Sequence, residues 1–353
     1  MTHIRNGHRS PRGVTLLTAV AATLLLASVA GCTTDPPKEV VIVTYAGFAL
    51  PEKAAAAFAD RTGYKVLVRS TGDAGQALNE AILTSGRPQG DVFFGDDNTF
   101  LSRATASDAF LRYQPPSAGS LPGDLRIDPT GTFTPIDTGD VCVNADSTWF
   151  EEHQVPLPKT FEDLVAPTYR GLLVVEDPAK SSPGLVFLSG IRGAYADAAD
   201  DWWRRAKAND VAVAPSWDDA WGTRYTVSGG DRPLVVSYAS SPPAEVVFAD
   251  PPIERPRSVV LTDTCVRQIE LAAVLRGARH PEMARRLVEF MLSRTWQEEL
   301  PLTNFVRPVV PSTPLPQVFT DFAPEVSTAI VVPVPEVSRE RDRWLKAWRD
   351  VMG

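Results

Sequence analysis

Short apolar runs, each handed on to a helix, constrain this chain more than any other feature. Residues 40–44 are apolar and mostly β-branched, the signature of a buried strand. Pro51 then opens an Ala-rich helical stretch over 52–61, which Gly63 closes. A second run, 65–69, passes into Ser70-Thr71-Gly72-Asp73-Ala74-Gly75 and a helix reaching about Ser85. A third, 91–94, ends at Gly95-Asp96-Asp97-Asn98. Strands alternating with helices imply a parallel sheet covered on both faces. In such sheets ligands sit at the carboxyl ends of the strands. Tyr45, residues 71–75 and residues 96–98 all fall at those ends, so three loops share one rim.

After a loop-rich stretch (119–131) and an extended segment (134–145), the same pattern restarts. A short helix is expected at 160–164. Residues 172–175 then read as a buried strand, and Ser182 and Pro183 as the N-cap and first position of a helix. A strand, a polar turn and a helix N-terminus together suit an anion. An ordinary capped helix behind a buried strand has the same signature, so the neighbours must decide. A helix at 197–208 carries Trp202 and Trp203, which are expected in the core. Strands at 211–214 and 234–237 lead to Ser216-Trp217-Asp218 and Tyr238-Ala239-Ser240-Ser241, opening a second rim. Strands at 257–261 and 264–269 bring the chain back. Helices at 270–276, 281–293 and 296–300, a loop at 302–309 and an amphipathic helix at 337–351 complete it.

Residues 1–31 have the features of a targeting segment. Arg5, Arg9 and Arg12 precede an apolar run that ends in Val29-Ala30-Gly31-Cys32. That run is shorter than the roughly 20 residues of a spanning helix. Its end resembles a bacterial lipobox, with Cys32 as the lipidated first mature residue and 32–39 as a tether. The chain carries 35 basic and 43 acidic residues, a net charge of −8, and losing the leader's three arginines leaves about −11. An acidic chain without basic runs argues against nucleic acid as a partner. Beyond His3 and His8 in the leader only His153 and His280 exist, both in charged surroundings. HExxH, GxSxG, Walker and GxGxxG patterns are absent from the sequence, so no catalytic residue, metal or cofactor is assigned.

Six segments, in order, resemble the thiamine-binding proteins of ABC importers: Asp-Val-Phe-Phe-Gly-Asp-Asp-Asn (91–98), Pro-Ile-Asp-Thr-Gly (135–139), Glu-Asp-Pro-Ala-Lys-Ser-Ser-Pro-Gly (176–184), Ser-Trp-Asp-Asp-Ala (216–220), Val-Ser-Tyr-Ala-Ser-Ser-Pro (236–242) and Asn-Phe-Val-Arg-Pro (304–308). The resemblance spans nearly the whole mature chain. It implies a two-lobed α/β fold of the type II periplasmic-binding-protein class, each lobe a mainly parallel sheet flanked by helices. Crossing hinge strands would join residues 40–137 and 264–310 to residues 138–263 and 311–353. Position by position, Tyr45, Trp217, Tyr238 and Phe305 match the aromatic residues around the ligand, and Asp97 an acidic cleft residue. Asp73, Gly75, Ser181, Ser182 and Gly184 match the phosphate-side loops. Aromatic faces attract a cation such as thiazolium by about 0.5–2 kcal/mol each. The sequence departs from the family at Ala46, where Asp is usual, and at Phe305, where Trp is usual.

In that architecture the crossings run side by side, which brings Cys142 and Cys265 together and implies a disulfide suited to an exported protein. Two separate buried thiols are the alternative. The expected function is an extracytoplasmic, lipid-anchored, monomeric receptor that binds thiamine or a thiamine phosphate and delivers it to an ABC permease. The same fold with iron, a polyamine or a phosphonate as ligand is the runner-up, and no Tyr-Tyr pair favours iron. An enzyme using two cleft carboxylates is a third reading.

Overall fold

The computed structural model describes residues 38–353; the targeting segment, Cys32 and all but the end of the tether lie outside the described residues. Ten strands, β1 (Glu39–Thr44), β2 (Lys65–Ser70), β3 (Val92–Asp97), β4 (Phe110–Leu111), β5 (Thr134–Asp146), β6 (Leu173–Glu176), β7 (Ala212–Ala214), β8 (Leu234–Tyr238), β9 (Ser258–Leu275) and β10 (Arg307–Pro308), join one sheet. Its main path runs β2-β1-β3-β9-β5-β8-β6-β7. At one end β1 pairs in parallel with β2 and β3; at the other β6 pairs in parallel with β7 and β8. The antiparallel pair β5–β9 joins the two ends, its register broken by bulges at 135/137 and 141/143. The fold is the expected two-lobed α/β architecture. The boundaries expected at 137/138 and 263/264 fall inside β5 and β9, the strands that cross.

Cys142 and Cys265 are bonded beside the second bulge. The leading end of the chain follows its local signals closely. The Glu52–Thr62 helix ends at Gly63 with φ 74°, a left-handed cap that glycine adopts without steric cost. Trp202 and Trp203 on the Ala199–Ala208 helix are buried, 4.9 Å apart edge to face, and Trp348 of the Val334–Met352 helix packs 6.1 Å from Trp203. The closing helix is thereby anchored to the second half of the chain.

Several local expectations are corrected. Residues 270–276 are not a helix. With 257–261 and 264–269 they form the single strand β9, because Glu-Leu-Ala-Ala-Val-Leu is enclosed between β3 and β5 and ladder pairing overrides its helix propensity. Residues 160–164 make a turn and one 3₁₀ turn, Asp163–Val165. The helix expected at 296–300 is two short ones, Arg294–Gln297 and Leu300–Thr303, and part of the expected loop is β10 paired to β5. Ser182 is not the N-cap of its helix. Ser181 holds that place in Ser182–Tyr195, with no side-chain capping bond, and the Ser182 hydroxyl turns inward to the Asp97 carboxylate.

Candidate functional site

The strand ends do converge. A cavity of about 700 Å³ opens where they meet, within the size range of small-molecule sites. Tyr45 follows β1, and its ring lies 6.2 Å from that of Phe94 and 6.3 Å from that of Phe48. A side chain at Gly95 (φ 105°) would lie 2.5 Å from the Tyr45 ring, and one at Gly139 would lie 2.9 Å from Tyr238. Both tyrosines therefore stand on glycines. Trp217 begins a short helical turn capped by Ser216, whose hydroxyl accepts from Asp219 N–H at 3.2 Å. Its indole N–H donates to Ser237 Oγ at 2.9 Å, which fixes the plane of the ring. Trp221 lies nearly parallel to Trp217, 6.0 Å away, and the Tyr238 ring lies 6.2 Å from Trp217, tilted by 54°. At the mouth Phe248 meets Phe305 edge to face at 5.5 Å.

Charge in this wall is lopsided. Asp73, Asp218 and Glu270 line the cavity against one basic residue, Lys180, which is already paired to Asp177 at 3.0 Å. Asp73 caps the Ala74–Leu83 helix, accepting from Ala74 N–H at 2.7 Å, and its other oxygen accepts from Trp217 N–H at 3.3 Å. Burial raises its carboxyl above the ordinary range while these bonds pull it back down. The N-termini of the Ala74–Leu83 and Ser182–Tyr195 helices border the cavity, but at the first a carboxylate sits where a phosphate would go. Glu270 projects from β9 and accepts from the Tyr45 hydroxyl at 3.2 Å. Burial raises the Glu270 carboxyl well above its usual range.

Of the ten residues expected at the ligand, Tyr45, Asp73, Ser182, Trp217, Tyr238 and Phe305 line the cavity. The other four lie behind it. Asp97 is fully buried and accepts from Thr99 N–H at 2.6 Å, from the Ser182 hydroxyl and from Gln268 Nε2 at 3.3 Å, so it positions Ser182 rather than facing the space. Gly75 N–H donates to Lys180 O at 3.2 Å, and a side chain there would lie 2.6 Å from that oxygen, so the two halves of the molecule meet at this point. Gly184 is packed on the Glu176 backbone, and Ser181 is buried at the helix start. Trp221, Phe248, Asp218 and Glu270 were not expected. Trp221 had a visible signal, one helical turn after Trp217; Glu270 was concealed by the helical reading of its segment.

The model of the bacterial extracellular solute-binding protein family matches residues 88–332. The chain belongs to that family. This solute-binding protein is 30% identical over 274 residues to the thiamine-binding periplasmic protein of Brucella suis, an alignment that covers 77% of this chain and 78% of the relative. Among solved structures, a periplasmic thiamin-binding protein superposes with a TM-score of 0.77 at 23% identity, over 89% of this chain and 96% of that one. Iron-bound HitA from Pseudomonas aeruginosa superposes with a TM-score of 0.71 at 18% identity, covering 89% and 99%. At these identities the two structures establish the fold, that of type II periplasmic binding proteins. The family places this solute-binding protein outside the cytoplasm.

Proposed function

We propose that this protein is a receptor for thiamine in its unphosphorylated form, which it hands to an ABC permease. The observation that carries the reading is the wall itself: aromatic rings from both halves of the sheet, three carboxylates and one neutralised lysine. Such a wall favours a flat, apolar, permanently cationic molecule and disfavours an anion. A thiazolium held against two rings gains about 1–4 kcal/mol from cation–π attraction alone. The acid missing at Ala46 is offset by Asp218 and Glu270 in the same cavity. Asp73 already occupies the amide donors at the Ala74–Leu83 N-terminus, so a phosphate ester would meet a carboxylate there.

Delivery follows from hinge closure. The lobes, 40–137 with 264–310 and 138–263 with 311–353, turn about β5 and β9 and trap the ligand between Tyr45 and Phe305 on one side and Trp217 and Tyr238 on the other. The lipid at Cys32 would keep the monomeric receptor at the membrane beside its permease. Titration calorimetry with thiamine, thiamine monophosphate and thiamine diphosphate tests the reading. Free thiamine is expected to bind at least tenfold more tightly than either ester. Preference for an ester would move the ligand assignment, and binding of spermidine in place of all three would refute it.

A further inference from the structure

Three carboxyl side chains stand in one row across the middle of the sheet. Asp97 on β3 and Asp137 on β5 are both cross-strand partners of Glu270 on β9. Directly opposed residues on neighbouring strands share a face, with Cβ atoms about 4.5–5.5 Å apart. Exposure is 0% for Asp97, 0% for Asp137 and 4% for Glu270, and only Glu270 opens onto the cavity. Among the described residues no lysine or arginine forms an ion pair with any of them; Arg267, the basic residue of β9, is taken by Asp140.

Three adjacent buried carboxylates without a counter-ion cannot all be charged. Their donors decide which one is. Asp97 accepts from Thr99 N–H and Oγ, from Ser182 and from Gln268, a set that suits an ion. Glu270 accepts only from the Tyr45 hydroxyl, and neither oxygen of Asp137 has a donor from any other group. We infer that Glu270 is the charge-selecting residue of the cavity: in the empty site it shares a proton with Asp137, and a cationic ligand expels that proton and meets Glu270 as a carboxylate. The inference rests on the cationic ligand proposed above. Its balance is simple. One carboxyl O–H bond breaks, the proton goes to solvent, and one positive charge replaces another.

The surroundings agree. Glu270 faces Tyr45 at the end of β1, Asp97 on β3, Asp137 on β5 and Tyr238 on β8, and Asp73 and Glu176 act in turn on Tyr238. Burial, with Glu270 alongside, drives both tyrosines well up, so both stay neutral, and the Tyr45 hydroxyl donates to Glu270. Arg341 acts on the far side at Asp97, and Arg307 faces Asp140. Burial, with Asp137 and Asp97 alongside, holds Glu270 well above the ordinary carboxyl range and pushes Asp137 up to about 7. Binding favours the deprotonated pair, so affinity falls as the pH drops through the titration of the pair, by roughly tenfold per unit for one proton.

The test is calorimetry of the full-length protein with thiamine at pH 6, in buffers of different ionisation enthalpy, together with infrared spectra of the empty protein. The expected results are about one proton released per thiamine bound, and a protonated-carboxyl band that Glu270→Gln removes. Glu270→Gln should also flatten the pH profile. Asp137→Asn, whose amide donates to Glu270, should move that profile to lower pH. Equal enthalpies in all buffers with the same pH profile in wild type and Glu270→Gln would overturn the inference, as would absence of the band. If thiamine does not bind but the band is present and is lost in Glu270→Gln, the shared proton stands and the ligand assignment falls.

Discussion

Replacing Trp217 by alanine isolates the contribution of the central ring. Its indole lies 6.0 Å from Trp221 and 6.2 Å from Tyr238, and both neighbours also line the cavity. Truncation removes one cation–π face, worth about 1–2 kcal/mol in a largely desolvated site. It also removes one ring-to-ring contact with the ligand, about 0.5–1.5 kcal/mol more. Together these amount to about 1.5–3.5 kcal/mol, or roughly 10- to 300-fold in Kd. The fold should hardly register the change. Trp217 is half-buried, its backbone N–H to Asp73 survives, and Ser237 Oγ keeps Ser241 Oγ as a partner at 2.8 Å. Trp217→Phe, which keeps a weaker quadrupole, should recover part of the loss. Titration calorimetry with thiamine, alongside melting temperatures, reads both quantities. A loss of less than about threefold in Trp217→Ala, with the melting temperature unchanged, would show that this ring does not hold the ligand.

Three further outcomes are expected. Phe248 is 71% exposed and packs edge to face on Phe305 across the mouth, so Phe248→Ala should speed ligand release about two- to tenfold in stopped-flow fluorescence while leaving association unchanged. An unaltered release rate would mean that the pair does not gate the cavity. Gly75→Ala places a methyl 2.6 Å from Lys180 O, so the closed form should be selectively disfavoured and affinity should drop about 5- to 150-fold; a drop in ligand-free stability of the same size would assign the effect to the fold instead. Cys142→Ser with Cys265→Ser opens a covalent loop spanning 123 residues, and chain entropy alone sets the stability loss at up to about 5 kcal/mol. Guanidinium denaturation should show the midpoint falling, and an unmoved midpoint would contradict the entropic account.

The parts of this structure that were legible in the sequence are those governed by local chemistry. β1 and β2 start within one residue of the apolar runs that announced them, and Gly63 ends its helix as a left-handed cap. Tyr45, Trp217 and Tyr238 were visible because each follows a buried run, and a parallel sheet sends all such ends to one rim. What escaped depends on contacts between distant segments. Glu270 lies in a stretch with strong helix formers, and only its enclosure between β3 and β5 makes it a strand residue facing the cavity. Asp97 has the sequence appearance of a cleft carboxylate, yet Ser182, 85 residues away, turns it into a buried anchor. Phe248 stands at the mouth because of where Phe305 is placed, and no periodicity carries that information.

β9 runs 18 residues, about 60 Å of nearly unbroken strand. It holds Glu270 and Gln268 under the cavity and Cys265 at the covalent tie to β5. The floor of the cavity and the axle of the proposed closure are thus one piece of backbone. On the proposed closure, Trp217 and Tyr238 travel while the floor stays with Tyr45 and Phe305. New solutes can be accommodated by exchanging the moving rings, with no alteration to the bearing.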